Sequence, residues 1–238
     1  MRLKIVLDYK NKIKNMKKII ILAIVFSAFI GNAQRTMFGS QNNYVAPTSP
    51  TSNAPTVVSG EWSTSNLDVS TYQNGDVIPQ VTDPNVWNTL TTGAWCYYNN
   101  DPANGAIYGK LYNWYAVNDP RGLAPQGWHI PSVAEWTTLA NTLGGATVAG
   151  GKLKTTGTTT WNSPNTGATN EIGFSALPGG YRFFGGSFGA LHRDCNFWSS
   201  TQQSSTTANM RYIEHGSAEL KTYVDDKKAG TSIRVIKD

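Results

Sequence analysis

Three histidines and two acidic residues are the side chains of this sequence whose types could bind a metal ion. His129, His192 and His215 could form a ligand set with Glu214 or Asp194, since imidazole and carboxylate groups are common metal ligands. No H-E-x-x-H or paired C-x-x-C spacing occurs, and the triplets "NND" and "VDD" are typical of turns. We therefore expect no metal and no cofactor, with one structural calcium in the long loops left open.

Nucleophilic chemistry has equally little support. No G-x-S-x-G elbow is present, so the sequence predicts no catalytic residue and no enzyme. Cys96 and Cys195 would meet an oxidising compartment, where a bridge closing a loop of about 100 residues adds roughly 4 to 5 kcal/mol in the chain-entropy model. We favour such a bridge, and two independent buried thiols are the alternative.

The stretch "GLAPQGWHIPSVAEW" concentrates a histidine and a glutamate, but its pattern is that of a helix start. Ser132 and Glu135 have the S-x-x-E spacing of a capping box, while Trp128 and Ile130 alternate as in a half-buried strand. A general base needs an orienting partner, and the sequence signals none for His129. We interpret His129 as a structural or surface residue.

Two helices and a set of strands must position any site. A short aromatic helix is predicted within "GKLYNWYAVND", and a second one from Ser132 to a stop at Gly144–Gly145. Five strand-like segments follow: "GYRFF", "NFWSST", "NMRYIEH", "LKTYVD" and "SIRVIK". Between helix and strands, residues 155–180 are predicted to be a long irregular loop pinned by Trp161 and Phe174.

The N-terminus has the pattern of a secretory signal. Lys17 and Lys18 precede an apolar run of about a dozen residues and then "GNA", which predicts a signal peptide over residues 1–33, with the start at Met1 or Met16. Seven of the 20 basic residues but only one of the 15 acidic residues lie there, so the mature chain carries 13 basic and 14 acidic residues, a net charge of −1. No nucleic-acid partner is implied.

Residues 34–60 have the composition of a flexible polar linker, with scattered prolines and no apolar period. The rest, 61–238, contains no second linker and no fixed-period repeat, which favours one domain. After signal cleavage no integral membrane segment is expected. The protein would be secreted or held in the cell envelope, as a periplasmic, outer-surface or extracellular protein.

Several long segments, in order, carry a resemblance to a known family. The segments "WSTSNLDVSTYQNGDVIP", "YGKLYNWYAVND", "RGLAPQGWHIPSVAEWTTL", "FWSST" and "SIRVIKD" resemble the Fibrobacter succinogenes major paralogous domain from about Trp62 to Asp238. The chain departs from the family pattern at Ser63, usually Met, and at Val235, where many members have a cysteine. Val235 stands in place of the cysteine with which Cys96 would form the family-typical disulfide, and Cys195 could replace that partner.

That family is similar in turn to the C-type lectin-like and formylglycine-generating-enzyme folds. The resemblance implies an α+β, C-type-lectin-like fold, with two helices flanking a small twisted antiparallel sheet and long irregular loops. The oxidation carried out by the formylglycine-generating enzymes needs two cysteines a few residues apart, whereas Cys195 is the single cysteine of its half. That activity is therefore not expected here.

Binding is the remaining class of function. The segments between Arg182 and His215 mix aromatic, arginine and amide side chains, as in shallow recognition of sugars or protein surfaces, whereas Phe183, Phe197 and Trp198 are expected in the core. We predict a ligand-binding face from residues that would point away from that core. These residues are Arg182, Phe184, Phe188, His192, Arg193, Gln202, Tyr212 and Glu214.

The sequence thus predicts a secreted, non-enzymatic binding module for an extracellular glycan or protein ligand. One alternative is a structural envelope protein that self-assembles through the same face. Another is a ligand-binding protein diversified by retroelements, for which the run Phe183–Glu219 would be the place.

Overall fold

The computed structural model describes residues 61–238, which contain five short α-helices and nine strands. The predicted signal peptide (1–33) and linker (34–60) lie outside the described residues. The helices are α1 Pro84–Asn88, α2 Pro102–Tyr108, α3 Trp114–Val117, α4 Val133–Thr142 and α5 Ala146–Leu153. The strands are β1 Trp95–Cys96, β2 Leu111–Tyr112, β3 Trp128–His129, β4 Gly179–Arg182, β5 Phe188–Leu191, β6 Asp194–Gln202, β7 Thr207–Glu214, β8 Lys221–Asp226 and β9 Ile236–Lys237.

The main sheet has five strands in the order β5–β4–β6–β7–β8. Its neighbours are antiparallel except β4 and β6, which pair in parallel through Gly180 and Cys195. Two small antiparallel ladders, β1–β2 and β3–β9, complete the sheets of the described residues. Four of the five predicted strand segments coincide with β4, β6, β7 and β8 within a few residues, whereas only the end of the fifth forms a strand, β9.

The prediction of an α+β, C-type-lectin-like fold was wrong. The described chain is mostly β, with a curled five-stranded sheet, small additional sheets and 21% helix. One physical reason is that the first expected helix is replaced by strand β2 and the four-residue helix α3, because the side chain of Asn113 binds Thr92 and Ala94. Glycines and amides elsewhere in the chain favour turns over longer helices.

The predicted helix at residues 109–119 is instead a strand followed by one helical turn. Leu111–Tyr112 pairs with Trp95–Cys96, and the helix begins only at Trp114. Asn113 explains the break, because its side-chain oxygen accepts from Ala116 N and Ala94 N while its amide donates to Thr92 O. A buried amide committed to three backbone partners ends the strand and caps the helix.

The prediction for α4 is confirmed. Ser132 Oγ accepts from Glu135 N at 3.3 Å, and Glu135 Oε2 accepts from Ser132 N at 2.7 Å, which is the reciprocal capping box. Gly144, with φ of +95°, reverses the chain, and Gly145 N donates to Ala140 O at 2.8 Å. Helix α5, which follows at once, was not predicted, because its "ATVAGGKL" has two glycines in its last turn.

The loop after α5 is irregular as predicted, and Trp161 and Phe174 pin it in a hydrophobic cluster. This cluster also contains Trp136 of α4, Phe197 of β6 and Ile213 of β7. Two further clusters lie around Trp114 and Trp198 and around Trp87 and Cys96. The core of the described chain is therefore divided into three parts that meet along the main sheet.

Two buried arginines, Arg182 and Arg234, hold the loops. Arg234 donates to Asn66 Oδ1, Ser63 O, Phe174 O and Ser175 O at 2.6 to 3.0 Å. It is 1% exposed, and burial lowers its pKa to about 10, which leaves it charged at neutral pH. Four acceptors from distant segments of the chain thus share one guanidinium group.

His129 lies between two carboxylates. Its Nε2 is 2.7 Å from Glu135 Oε1, and its Nδ1 is 2.7 Å from Asp238 Oδ1. Burial by itself lowers the pKa of His129, but the hydrogen bonds and charges of the two carboxylates raise it by more. The interpretation of His129 as structural fits this geometry, because both ring nitrogens are already engaged.

No helix among residues 61–238 is long and apolar enough to cross a membrane.

Replacing Arg234 by methionine should strongly destabilise the protein. The change leaves four oxygens without their donor, and we expect the free energy of unfolding to fall by about 3 kcal/mol or more. Lys237→Met is the matched control, since Lys237 is exposed, and we expect a change within about 0.5 kcal/mol. Urea unfolding measures both variants, and equal effects would contradict the role given to Arg234.

The His129 cluster should make stability depend on pH. Since the folded-state pKa of His129 is raised, its stabilisation is fully present below the unfolded value of about 6.5 and is lost as pH rises through the folded value. We expect the melting temperature of the wild type to exceed that of His129→Gln at about pH 5.5 and the difference to shrink by about pH 9. A difference that grows with pH would contradict this account.

Candidate functional site

An aromatic groove of about 470 Å³ lies on one face of the main sheet. Its walls come from the loop after β4 and from strands β4, β6, β7 and β8. The residues lining the groove are Tyr181, Phe183, Phe184, Arg193, Asp194, Asn196, Met210, Tyr212, Tyr223 and Asp225.

Strand alternation places these side chains on one face. In β6, Asp194 and Asn196 face the groove, while Cys195 and Phe197 enter the hydrophobic core on the other side. Register then aligns the neighbouring strands, with Asn196 opposite Tyr212 in β7. The groove is therefore the open part of a sheet whose reverse face is packed.

Three aromatic rings of the groove remain open to solvent. Tyr223 is 56% exposed, Phe184 is 50% exposed and Phe183 is 39% exposed. Tyr181 packs against Phe183 with 4.5 Å between ring centroids. Tyr223 is on strand β8 and the two phenylalanines are in the loop after β4, and exposed rings of this kind can cover an apolar ligand surface.

A polar network borders the rings. Arg193 pairs with the buried Asp194 at 3.0 Å, and Tyr212 Oη donates to Glu214 Oε2 at 2.8 Å and lies 3.3 Å from Asp194 Oδ1. Burial and these two carboxylates raise the pKa of Tyr212, so its hydroxyl stays a donor at neutral pH. The hydrogen bond from Lys221 lowers the pKa of Glu214, which therefore stays ionised.

Within the described part of the chain, the Asn196 amide nitrogen has no hydrogen-bond acceptor and the Asp225 carboxylate has no ion-pair partner. Asn196 is 2% exposed, and its amide nitrogen has no hydrogen-bond partner within the described part of the chain. Burial raises the pKa of Asp225, whose Oδ1 accepts from Asp226 N at 2.7 Å. No lysine, arginine or histidine among residues 61–238 forms an ion pair with Asp225. Buried side-chain atoms without a partner occur at six residues of the described chain, and Asn196 is the one of these that lines the groove, where a ligand can supply an acceptor.

The predicted binding face is partly assembled. Phe184, Arg193 and Tyr212 line the groove, and Glu214 is joined to it through Tyr212. Gln202 lies elsewhere, and its Oε1 accepts from Lys227 Nζ at 3.0 Å.

Two members of the predicted face are structural instead. Arg182 is fully buried and donates to Gly186 O, Val81 O and Thr82 O, so its prediction as a ligand-binding residue was wrong. Phe188 is partly buried against Tyr98, with 5.4 Å between ring centroids.

Sequence reasoning missed most of the groove. It placed Phe183 in the core, where the structure exposes it, and it did not select Tyr181, Asn196, Tyr223 or Asp225. A usable signal was present in "LKTYVD", because Tyr223 and Asp225 are two residues apart and so share one face of a strand.

The three histidines are not brought together. His192 Nδ1 lies 2.8 Å from Thr160 O, and His215 Nδ1 lies 3.0 Å from Ser163 O, whereas His129 is in its carboxylate cluster. Within residues 61–238, no three His, Cys, Asp or Glu side chains are grouped closely enough to hold a metal ion.

The disulfide prediction was wrong, and the alternative of two independent thiols is what the structure has. Cys96 lies in the cluster around Trp87, and Cys195 lies in the cluster around Trp136, so different parts of the core surround them. Burial raises the pKa of Cys96 to about 11 and the pKa of Cys195 further. Both thiols are therefore inert at neutral pH, since the thiolate is the reactive form.

The fold and the groove together describe a β-rich domain with a surface suited to binding. The chain belongs to the Fibrobacter succinogenes major domain family, whose model matches residues 58–237. No curated protein and no solved structure matches the chain.

Thiol labelling tests the separation of the cysteines. In protein purified without reductant, we expect a maleimide to label neither Cys96 nor Cys195 in the native state and both in denaturant, because burial protects two free thiols. Intact mass measures the number of labels. Labelling in denaturant that appears only after reduction would show a bridge and contradict the structure.

Proposed function

We propose that this protein is a secreted, non-enzymatic binding module of the bacterial envelope or exterior, and that the aromatic groove binds a glycan. The observation that carries the proposal is the combination of three exposed rings with an unpartnered amide in one groove of the described chain. The rings suit the apolar C–H faces of a sugar, and the amide and carboxylates suit its hydroxyl groups.

The geometry favours a saccharide over an extended protein surface. The rings of Tyr223, Phe184 and Phe183 surround a concavity of about 470 Å³, which is in the size range of small-ligand sites. Tyr212 and Arg193 are held by Glu214 and Asp194, so donors and acceptors are fixed before a ligand arrives. Secretion is supported by the N-terminal sequence pattern.

The experiment is a binding screen of the purified mature chain against polysaccharides and cell-wall fragments, with and without calcium. We expect saturable binding that free sugar competes. Concentration-dependent oligomers with no effect of sugar would instead favour the self-assembling envelope protein.

Tyr223→Ala should weaken glycan binding by about tenfold or more, because it removes the most exposed ring of the groove. Val224→Ala is the matched control, since Val224 is the next residue of β8, is also exposed, and points to the opposite face. Calorimetric titration with a glycan identified in the screen measures both variants. Equal losses in the two variants would contradict the assignment of the groove.

A further inference from the structure

The charges of the aromatic groove do not cancel. Arg193 pairs with Asp194, and Lys221 pairs with Glu214, so the two cations nearest the polar network are already occupied. Asp225 has no such partner among the described residues. The groove therefore presents one uncompensated negative charge.

Tyrosine rings line the groove together with this carboxylate. Tyr223 lies two residues before Asp225 on the same face of β8, and both line the groove with Tyr181. Burial raises the pKa of Tyr181, and the charges of Asp194 and Asp225 raise it further. A groove that combines a carboxylate with tyrosine rings favours a cation over a neutral group, because both attract positive charge.

One other cation, Lys228, lies at the edge of the groove. Its Nζ lies 5.7 Å from the centroid of the Phe184 ring and 4.0 Å from Asp226 Oδ2. It is therefore engaged with the neighbouring carboxylate rather than with Asp225. The carboxylate of Asp226 adds to the negative potential at Asp225.

The unpartnered Asn196 amide is a second and independent observation that points to a ligand. Within residues 61–238 its nitrogen has no acceptor, and rotation about χ2 presents either its oxygen or its nitrogen to the groove. An amide that can donate or accept suits a hydroxyl group, which does both. By register Asn196 lies level with Lys221 of β8, four residues and about 13 Å before Asp225, so the two side chains would contact different parts of one ligand.

We propose that the groove selects an oligosaccharide bearing a protonated primary amine, and that Asp225 binds this ammonium group while Asn196 binds a hydroxyl group of another sugar unit. The inference rests on the proposed glycan-binding function and specifies the class of sugar. An acidic sugar would meet Asp225 and Asp194, and Arg193 is already paired with Asp194. An N-acetylated sugar would give Asp225 no charge to bind.

The test compares two oligosaccharides of equal length that differ only at nitrogen, one of glucosamine and one of N-acetylglucosamine. Titrated into the full mature chain, the glucosamine oligomer should bind about tenfold more tightly. Asp225→Asn keeps the shape of the side chain and removes its charge, so it should abolish this preference. Glu61→Gln is the matched control, because it removes one exposed charge outside the groove and should leave the preference unchanged.

The outcomes separate this inference from the proposed function. If both oligomers bind equally and Asp225→Asn changes neither, glycan binding stands and the amine selectivity is wrong. If the preference survives in Asp225→Asn, the role of Asp225 is wrong. If a lysine-rich peptide binds the groove and no glycan in the screen does, both the glycan proposal and this inference fail.

Discussion

Much of this structure depends on two guanidinium groups that are buried without an acidic partner among the described residues. Arg182 donates to Gly186 O, Val81 O and Thr82 O, and its charge lies 4.3 Å from the centroid of the Trp87 ring. A buried charge is costly unless hydrogen bonds replace its hydration, and loop carbonyls are equally costly when left without donors. The loop carbonyls replace the hydration of the guanidinium groups, and the guanidinium groups supply the donors that the carbonyls require. Arg182 and Arg234 therefore join loops that no strand ladder connects.

The separation of the two faces of the main sheet explains how a groove can stay open on a small β-rich domain. The reverse face of β6 and β7 carries Phe197 and Ile213, which pack against Trp136 of α4. Because alternation separates the faces, this packing fixes the backbone without using the groove side chains. Tyr212 and Asp194 are therefore held by their own polar network, whereas Met210 of the groove also packs in the cluster around Trp114 and Trp198.

The sequence indicated strands more reliably than helices, and the reason is local. Alternation in "NMRYIEH" agrees with its tertiary pairing, and the cap at Ser132 is complete within four residues. The aromatic spacing of "GKLYNWYAVND" fits a helix equally well, but Asn113 bonds to Thr92 and Ala94, which are far away in sequence. Such contacts decide the structure and leave no local signal. The fold expected from family resemblance therefore overestimated the helices.

Prediction from sequence is limited in the same way for the chemistry of the groove. Residue type and alternation could place Tyr223 and Asp225 on one face, but the property that distinguishes Asp225 from Asp194, the other carboxylate lining the groove, is the absence of an ion pair among the described residues. Arg193, the cation that sequence alone would offer to a ligand, is paired with Asp194. Since an unmatched charge attracts its complement more strongly than a matched one, the selectivity proposed for the groove depends on the pattern of pairing, which exists only after folding.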